Sequence, residues 1–429
     1  VSISKPNEAA SPSGGAFSGY QKFVVAVLAF LQFTMVLDFM LLAPLGALVI
    51  PALNITPSQF GRVVSVYAFS AGLSGLLAAG FADRFDRKKL LLFFYCGFLA
   101  GTLLCGLASS YRLLLLARMI TGLFAGVVGS VSFAIVTDLF ALQMRGRVMG
   151  VIQTAFGASS VLGMPLALLI SNRWGWNAAF LLVFAVSAVV GGLIWAYLRP
   201  VNEHLKQRPD RSPLHHLLQT VSNRLYLQGF ATTGLLSVGG FMLMPFTSVF
   251  VVHNVGLPVG KLPLVYMITG AFSFLSGFLI GRASDAYGKF KVFAFGCAVT
   301  IVMVVIYTHL HTNPFWVLVL VMVLMQTGIF SRMISSSALM SALPKPADRG
   351  SYMSISSSLQ QVSGGFAAVV AGLIVVQTPA GDLLHFDTLG YVLIFTTLIS
   401  LGLMYLINRK IGGIKPGPPT APELAAISE

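Results

Sequence analysis

Three ionisable residues sit where the surrounding sequence gives them no water. Asp38 lies inside the apolar run F-T-M-V-L-D-F-M-L-L-A-P-L, from Phe33 to Leu45, and it is the only one of 13 Asp and Glu residues in such a place. Arg118, in R-M-I-T-G-L-F-A-G, and Arg332, in T-G-I-F-S-R, are similarly enclosed. An ionised side chain at the centre of a hydrocarbon layer costs about 2.5 to 3.5 kcal/mol even on insertion scales, so such residues face protein or water and have a function. The chemistry open to them is proton transfer and anion binding. Burial favours the neutral acid of Asp38, whereas a facing guanidinium favours its carboxylate, and arginine cannot shed its own charge. If Asp38 and Arg118 face each other, protonation of Asp38 depends on which side of the layer is wet, which makes a proton-coupling pair. A permanent ion pair tying two helices together is the other reading of the same residues.

The elements that must position these groups are membrane spans. The chain has 429 residues, 56% hydrophobic and only 9% charged, against about 25% charged in soluble domains. Its 43 Gly and 20 Pro interrupt apolar runs in a way that transmembrane helices tolerate. Cutting at turn and charge signals gives twelve segments of about 20 apolar residues or more, near 22–50, 57–81, 88–107, 112–138, 146–171, 176–198, 225–253, 261–282, 290–309, 314–342, 350–376 and 389–408. The polar start has no basic n-region or cleavage site, so the first run is expected to be retained as a helix.

The net charge of +14 follows the topology. Of 27 Lys and Arg, 21 fall on one side of the spans, three on the other (Arg112, Arg173 and Lys261), and three within spans (Arg62, Arg118 and Arg332). The positive-inside rule makes the crowded side cytoplasmic, with both termini there, and a bacterial inner membrane is the expected location. Snorkelling explains Arg62, near the outer end of its span. Lipid contact accounts for the basic excess, and no nucleic-acid partner is expected. Cys96, Cys105 and Cys297 lack metal or redox spacing. Metalloprotease, hydrolase-elbow and phosphate-loop motifs do not occur, so the chain is not expected to be an enzyme or to use a metal or cofactor.

The halves repeat. T-G-L-F-A-G at Thr121 matches T-G-I-F-S-R at Thr327, R-G-R-V-M-G at Arg145 matches R-G-S-Y-M-S at Arg349, and F-M-L-L at Phe39 matches F-M-L-M at Phe241. Three pairs in one order at offsets of 202 to 206 indicate duplication of six helices into two lobes with a site between them. The expected fold is therefore all-α and integral to the membrane, with twelve transmembrane helices in two pseudo-symmetric six-helix lobes. Its expected parts are a flexible N-terminus (1–21), a first lobe (22–198), a cytoplasmic linker (199–224) with a surface helix around Leu214 to Leu218, a second lobe (225–408) and a disordered tail (409–429).

Two loops carry a family resemblance. A-G-F-A-D-R-F-D-R-K-K (Ala79 to Lys89) and G-R-A-S-D-A-Y-G-K-F-K (Gly281 to Lys291) resemble the G-x-x-x-D-R-x-G-R-K signature of the major facilitator superfamily, with Ala79 and Asp86 in the first copy where the pattern has glycines. The resemblance implies a conformational latch, for which Asp83, Arg84, Arg87, Asp138, Arg145, Asp285, Lys289 and Arg349 are the candidates. Arg118 to Gly126 resembles the superfamily's R-x-x-x-G-x-x-x-G, in which Gly122 and Gly126 form a packing stripe. Gly157, Gly163 and Pro165 resemble the kinked fifth helix of its antiporter branch. R-W-G-W-N-A-A-F from Arg173 is similar to a motif of drug and sugar efflux proteins, with Asn177 in place of arginine. The drug:proton antiporter or arabinose-efflux-like branch is the nearest in pattern.

That resemblance implies that the first and fourth helices lie side by side along a cavity, bringing Asp38 to Arg118. The residue aligned with Asp38 in the second half is Gly240, so Arg332 has no carboxylate of its own lobe to meet. The expected cavity residues are Asp38, Phe39, Arg118, Gln153, Gly240, Gln326, Arg332, Ser357, Gln360 and Gln361. One carboxylate against two guanidinium groups suits an anionic or zwitterionic molecule with an apolar body. The expected function is proton-coupled efflux of a small amphipathic molecule by a monomer; proton-coupled uptake of an organic anion or metabolite, and an uncoupled sensor or flippase-like protein, are the alternatives.

Overall fold

The computed structural model describes residues 17–412 apart from 141, 203–204, 206–219, 222, 313 and 346–347. Twelve of its helices are long and apolar enough to cross a bilayer. In the first lobe these are α1 (Gly19–Leu41, resuming as Gly46–Leu53), α2 (Pro57–Phe81), α3 (Arg87–Gly106), α4 (Tyr111–Leu139), α5 (Leu142–Ala158, a π turn over Ser159–Gly163, then Met164–Trp174) and α6 (Asn177–Tyr197). The second lobe has α7 (Arg224–Leu243, a 3-10 turn over Met244–Phe246, then Thr247–His253), α8 (Leu262–Tyr287), α9 (Lys289–Thr308), α10 (Phe315–Ala342), α11 (Arg349–Ile374) and α12 (Phe386–Gly412). The first helix starts at Gly19 and the last runs to Gly412, both slightly beyond the spans read from hydropathy. The expected surface helix at Leu214 to Leu218 lies outside the described residues.

Polar residues at the helix starts satisfy backbone N–H groups that have no intrahelical partner. Ser18 with Gln21 and Thr56 with Gln59 form capping boxes for α1 and α2, and Pro57 opens α2 at a position that needs no N–H. The two signature loops make the same connection by different chemistry. Gly288 turns α8 into α9 at φ 97°, a conformation that favours glycine, whereas the first copy uses a 3-10 turn over Ala82–Arg84 and then Asp86, which caps α3 by accepting from Lys89 N at 3.0 Å.

Close helix contacts fix where the lobes meet. Within the first lobe, a Cβ on Gly122 or Gly126 would collide with the carbonyl oxygens of Tyr67 and Ala71, so α2 and α4 touch backbone to backbone. Between lobes, α2 lies along α11 and α5 along α8. A Cβ on Gly61 would stand 2.6 Å from Ala368 O, and one on Gly270 would stand 2.7 Å from Ser160 O. Gly157 packs against Phe274 and Gly163 against Leu37. The bend in α5 is a π turn preceding Pro165, whose missing N–H leaves the Val161 carbonyl without its usual donor.

The apolar core shows which side is shut. On the face away from the basic loops, one cluster joins both lobes through Leu45, Phe60, Phe246 and Leu262. Towards the basic face the core separates into a first-lobe cluster around Leu91, Tyr95 and Val131 and a second-lobe cluster around Phe293, Tyr352 and Met404. The lobes are therefore sealed on the far face and parted on the basic face. The all-α fold carries one short connection that is not helical. A two-residue antiparallel hairpin, β1 (Val376–Gln377) with β2 (Leu383–Leu384), covers the far end of α7, where the Asn254 side chain exchanges hydrogen bonds of 2.9 Å with the backbone of Leu383.

Candidate functional site

Both α1 and α7 break at corresponding places. Pro44 lies in the turn after Leu41, and Pro245 lies in the 3-10 turn after Leu243, one residue out of the repeat register. Each break interrupts the α-helical hydrogen-bond ladder, and Ala43 O, which accepts from Gly46 N at 3.1 Å, also accepts from the Ser248 hydroxyl at 2.8 Å across the lobe boundary. A cavity of about 630 Å³ runs from these breaks toward the basic face, lined mostly by the second lobe. A second, of about 710 Å³, lies against the first lobe. Met353 and Ser357 line both, and the Phe39 and Phe241 rings meet 5.7 Å apart between them.

Asp38 and Arg118 do face each other. Arg118 Nη1 donates to Asp38 Oδ2 at 2.8 Å and to the Asp38 carbonyl at 3.2 Å, while the Thr102 hydroxyl donates to Oδ1 at 3.2 Å. Asp38 is 0% exposed and Arg118 1%. The guanidinium stands 4.3 Å from the centre of the Tyr67 ring, which in turn packs 5.3 Å from Phe39. Tyr67 also lines the first-lobe cavity, so it separates the ion pair from the opening. The pair is incomplete: Arg118 Nε is buried with no acceptor among the described residues.

Arg332, which aligns with Gly126 and not with Arg118, has no such partner. It is 4% exposed, lines the second-lobe cavity, and makes no hydrogen bond or ion pair to any described residue. Gly240, Gln326, Ser357 and Gln360 line the same cavity. Phe39 and Gln361 line the first-lobe one. Three expected cavity residues are placed elsewhere. Asp38 and Arg118 sit behind Tyr67 and do not line either cavity, because packing of α2 on α4 closes that side; Gln153 is exposed and outside both linings.

A family model described as Major Facilitator Superfamily matches residues 28–368 and 230–424. The chain belongs to that superfamily. The uncharacterised MFS-type transporter YceJ of Bacillus subtilis is 25% identical over 262 residues, 60% of this chain and 66% of its own length. Multidrug resistance protein 3 of the same organism is 31% identical over 152 residues, 35% of this chain and 30% of its own. The matches thus span less than two thirds of these relatives. A bacterial homologue of the human lysosomal transporter Spinster, solved inward-facing and unoccupied, superposes with a TM-score of 0.74 at 15% identity, over 94% of this chain and 100% of that one, which shows the shared fold. The first of these relatives is named a transporter, and the chain shares with it the superfamily and, with the Spinster homologue, the fold.

In this superfamily member the latch candidates lie at the parted face. Arg87 Nε pairs with Asp138 at 3.1 Å, and its Nη1 donates to Ala82 O at 2.8 Å; Arg145 donates to the carbonyls of Phe140 and Thr137 at 2.9 and 2.6 Å. These contacts stay within the first lobe, so they brace the loop and do not bridge the lobes in this conformation. Arg84 and Asp285 are exposed and Lys289 is half-buried. The side chains of Asp83 and Arg349 lie outside the description. Sequence reasoning missed Tyr67, Thr102 and Ser248. A lone Thr or Ser in an apolar span has no distinguishing signal, but the paired F-M-L-L-A-P and F-M-L-M-P runs do mark the helix breaks beside Ser248.

Proposed function

We propose that the chain exports a small amphipathic molecule in exchange for protons, by rocking its two lobes about the seams of α2 with α11 and α5 with α8. The observation that carries this reading is the Asp38–Arg118 pair, enclosed behind Tyr67 while the adjoining cavities open on the basic face. A carboxylate held by one guanidinium N–H, and shut off from water in one conformation, can take a proton in another and release Arg118. Export is supported by the name of the multidrug resistance relative and by the efflux-like motif at Arg173. The basic face is assigned to the cytoplasm of a bacterial inner membrane, with both termini on that side and the protein acting as a monomer. The expected lobes, 22–198 and 225–408, are its moving bodies.

The test uses purified protein in lipid vesicles, with a ligand found by thermal-shift screening against drugs, sugars, amino acids and lipids. Asp38→Asn should abolish movement driven by an imposed pH gradient while leaving exchange of substrate across the membrane measurable. Gradient-driven transport that continues unchanged in this variant would refute the proton role.

A further inference from the structure

We propose that the second-lobe cavity binds the carboxylate of a monoanionic organic acid at Arg332, with the acid's apolar body lying against the helix breaks. This rests on the reading of that cavity as the substrate's route, and it names the class of substrate.

The argument starts from an imbalance of charge. Arg118 has a carboxylate, a backbone carbonyl and an aromatic ring around its guanidinium. Arg332 is buried to nearly the same degree and has none of these, yet it lines an open cavity. A buried guanidinium keeps its charge, so its counter-ion must come from outside the described protein. No Asp or Glu lines that cavity among the described residues, and its polar groups, such as Ser237, Thr269, Gln326 and Gln360, are neutral.

The repeat supplies no counter-ion either. The position aligned with Asp38 is Gly240, where a Cβ would meet nothing within 4 Å, and Arg332 itself aligns with Gly126 and not with Arg118, so the first lobe's ion pair has no copy in the second. One positive charge fits one negative charge, and a planar guanidinium fits a carboxylate in a bidentate pair. Met40, Phe156, Phe241, Met244, Met325 and Phe330 supply an apolar wall for the remainder of the ligand, with methionines able to adapt to its shape. A cation would meet Arg332 with no acid to offset the repulsion.

The test measures binding to the purified full chain in detergent at neutral pH, with three probes of one shape: 4-phenylbutanoate, its primary amide and 4-phenylbutylamine. The acid should bind at least about tenfold more tightly than the amide, as a charge-assisted pair requires, and the amine should bind more weakly than either. Arg332→Gln should bring the acid down to the affinity of the amide while leaving the amide unchanged, and Arg332→Lys should keep part of the preference. A second pair of variants guards against simple misfolding. A Cβ on Gly239 would stand 3.7 Å from Arg332 Nη2 and 3.0 Å from Thr396 Oγ1. Gly239→Asp should therefore supply an internal counter-ion and abolish the preference for the acid, while the isosteric Gly239→Asn should retain it. Failure of the acid to bind better than the amide, including failure of either to bind, overturns the proposal. Tighter binding of 4-phenylbutylphosphonate than of the carboxylate overturns the carboxylate assignment in favour of a phosphoryl group. Proton coupling is read separately in vesicles, so either reading can fail without the other.

Discussion

Replacing Asp38 with Leu and Arg118 with Met, singly and together, separates a proton site from a structural tie. Asp38→Leu leaves a guanidinium, 1% exposed, without a counter-ion. Removing one member of a buried pair costs about 3 to 5 kcal/mol, whereas replacing both with apolar residues of similar size is neutral or stabilising. The two single variants are not equivalent, because a stranded acid can take up a proton and a stranded arginine cannot lose one. Neutralising a carboxyl of ordinary pKa near 3.9 costs about 4 kcal/mol at pH 7 and about 1.5 kcal/mol at pH 5. Arg118→Met is therefore limited to those losses. In that variant the folded state binds the extra proton, so its stability rises as pH falls from 7 to 5; Asp38→Leu has no such recovery. The coupling is the change in the double variant less the two single losses, so its size should equal their sum, about 6 kcal/mol with each loss at the lower end of its range, since a single side-chain N–O contact of 2.8 Å joins them and Arg118 Nε has no acceptor.

Thermal unfolding of the purified variants gives the cycle, and vesicle transport gives its meaning. A structural tie predicts that the double variant recovers both stability and gradient-driven transport. A proton site predicts recovered stability with transport no longer responsive to the gradient. A double variant that transports in response to a pH gradient at the wild-type rate would refute the coupling role, and strictly additive losses would refute the geometry of the pair.

Two further variants test the packing. Gly126→Ala should lower thermal stability by about 1 to 3 kcal/mol because its Cβ would meet the Ala71 carbonyl and Ser74 hydroxyl, whereas Gly129→Ala, with nothing within 4 Å, should be neutral or slightly stabilising. Ser248→Ala removes the 2.8 Å bond to Ala43 O that ties the broken helices together, a loss of about 1 kcal/mol. A cysteine placed at Phe246, which is fully buried, should then react about fivefold faster with a membrane-impermeant maleimide from the far face, and an unchanged rate would show that this bond does not hold that face shut.

The spans were legible because a hydrocarbon layer demands a long apolar stretch wherever the chain crosses it, and 20 such residues are hard to conceal. Burial marked Asp38 and Arg118 as charges with a role, but their pairing followed from the family resemblance, which sets the first and fourth helices side by side; burial alone does not pair them, since Arg332 is enclosed to nearly the same degree without a carboxylate. What the sequence did not reveal is which side of α1 is wet. Tyr67 hides the pair from the first-lobe cavity, and the need for that screen comes from the approach of α2 to α4, a tertiary fact with no local signal. The signature loop with Asp86 in place of glycine was legible as a connection but not as a capped turn.

The repeat explains why the lobes came to hold different charges. Each of two ionisable residues stands opposite a glycine in the other half: Asp38 opposite Gly240, and Arg332 opposite Gly126. Gly126 cannot accept a side chain while α2 touches α4, and at the same level Gly75 on α2 approaches the Gly126 carbonyl, where a Cβ would stand 3.3 Å away. The aligned Gly277 on α8 meets only the tip of Ile334, at 4.0 Å. The first lobe thus closes the seam that the second leaves slack. A closed seam can enclose a proton pair and keep water from it, and a slack one leaves room for a guanidinium and a ligand. Filling Gly126 would therefore loosen the proton site, and filling Gly240 would crowd the second-lobe cavity, so the two halves divide between them what neither could do in both places.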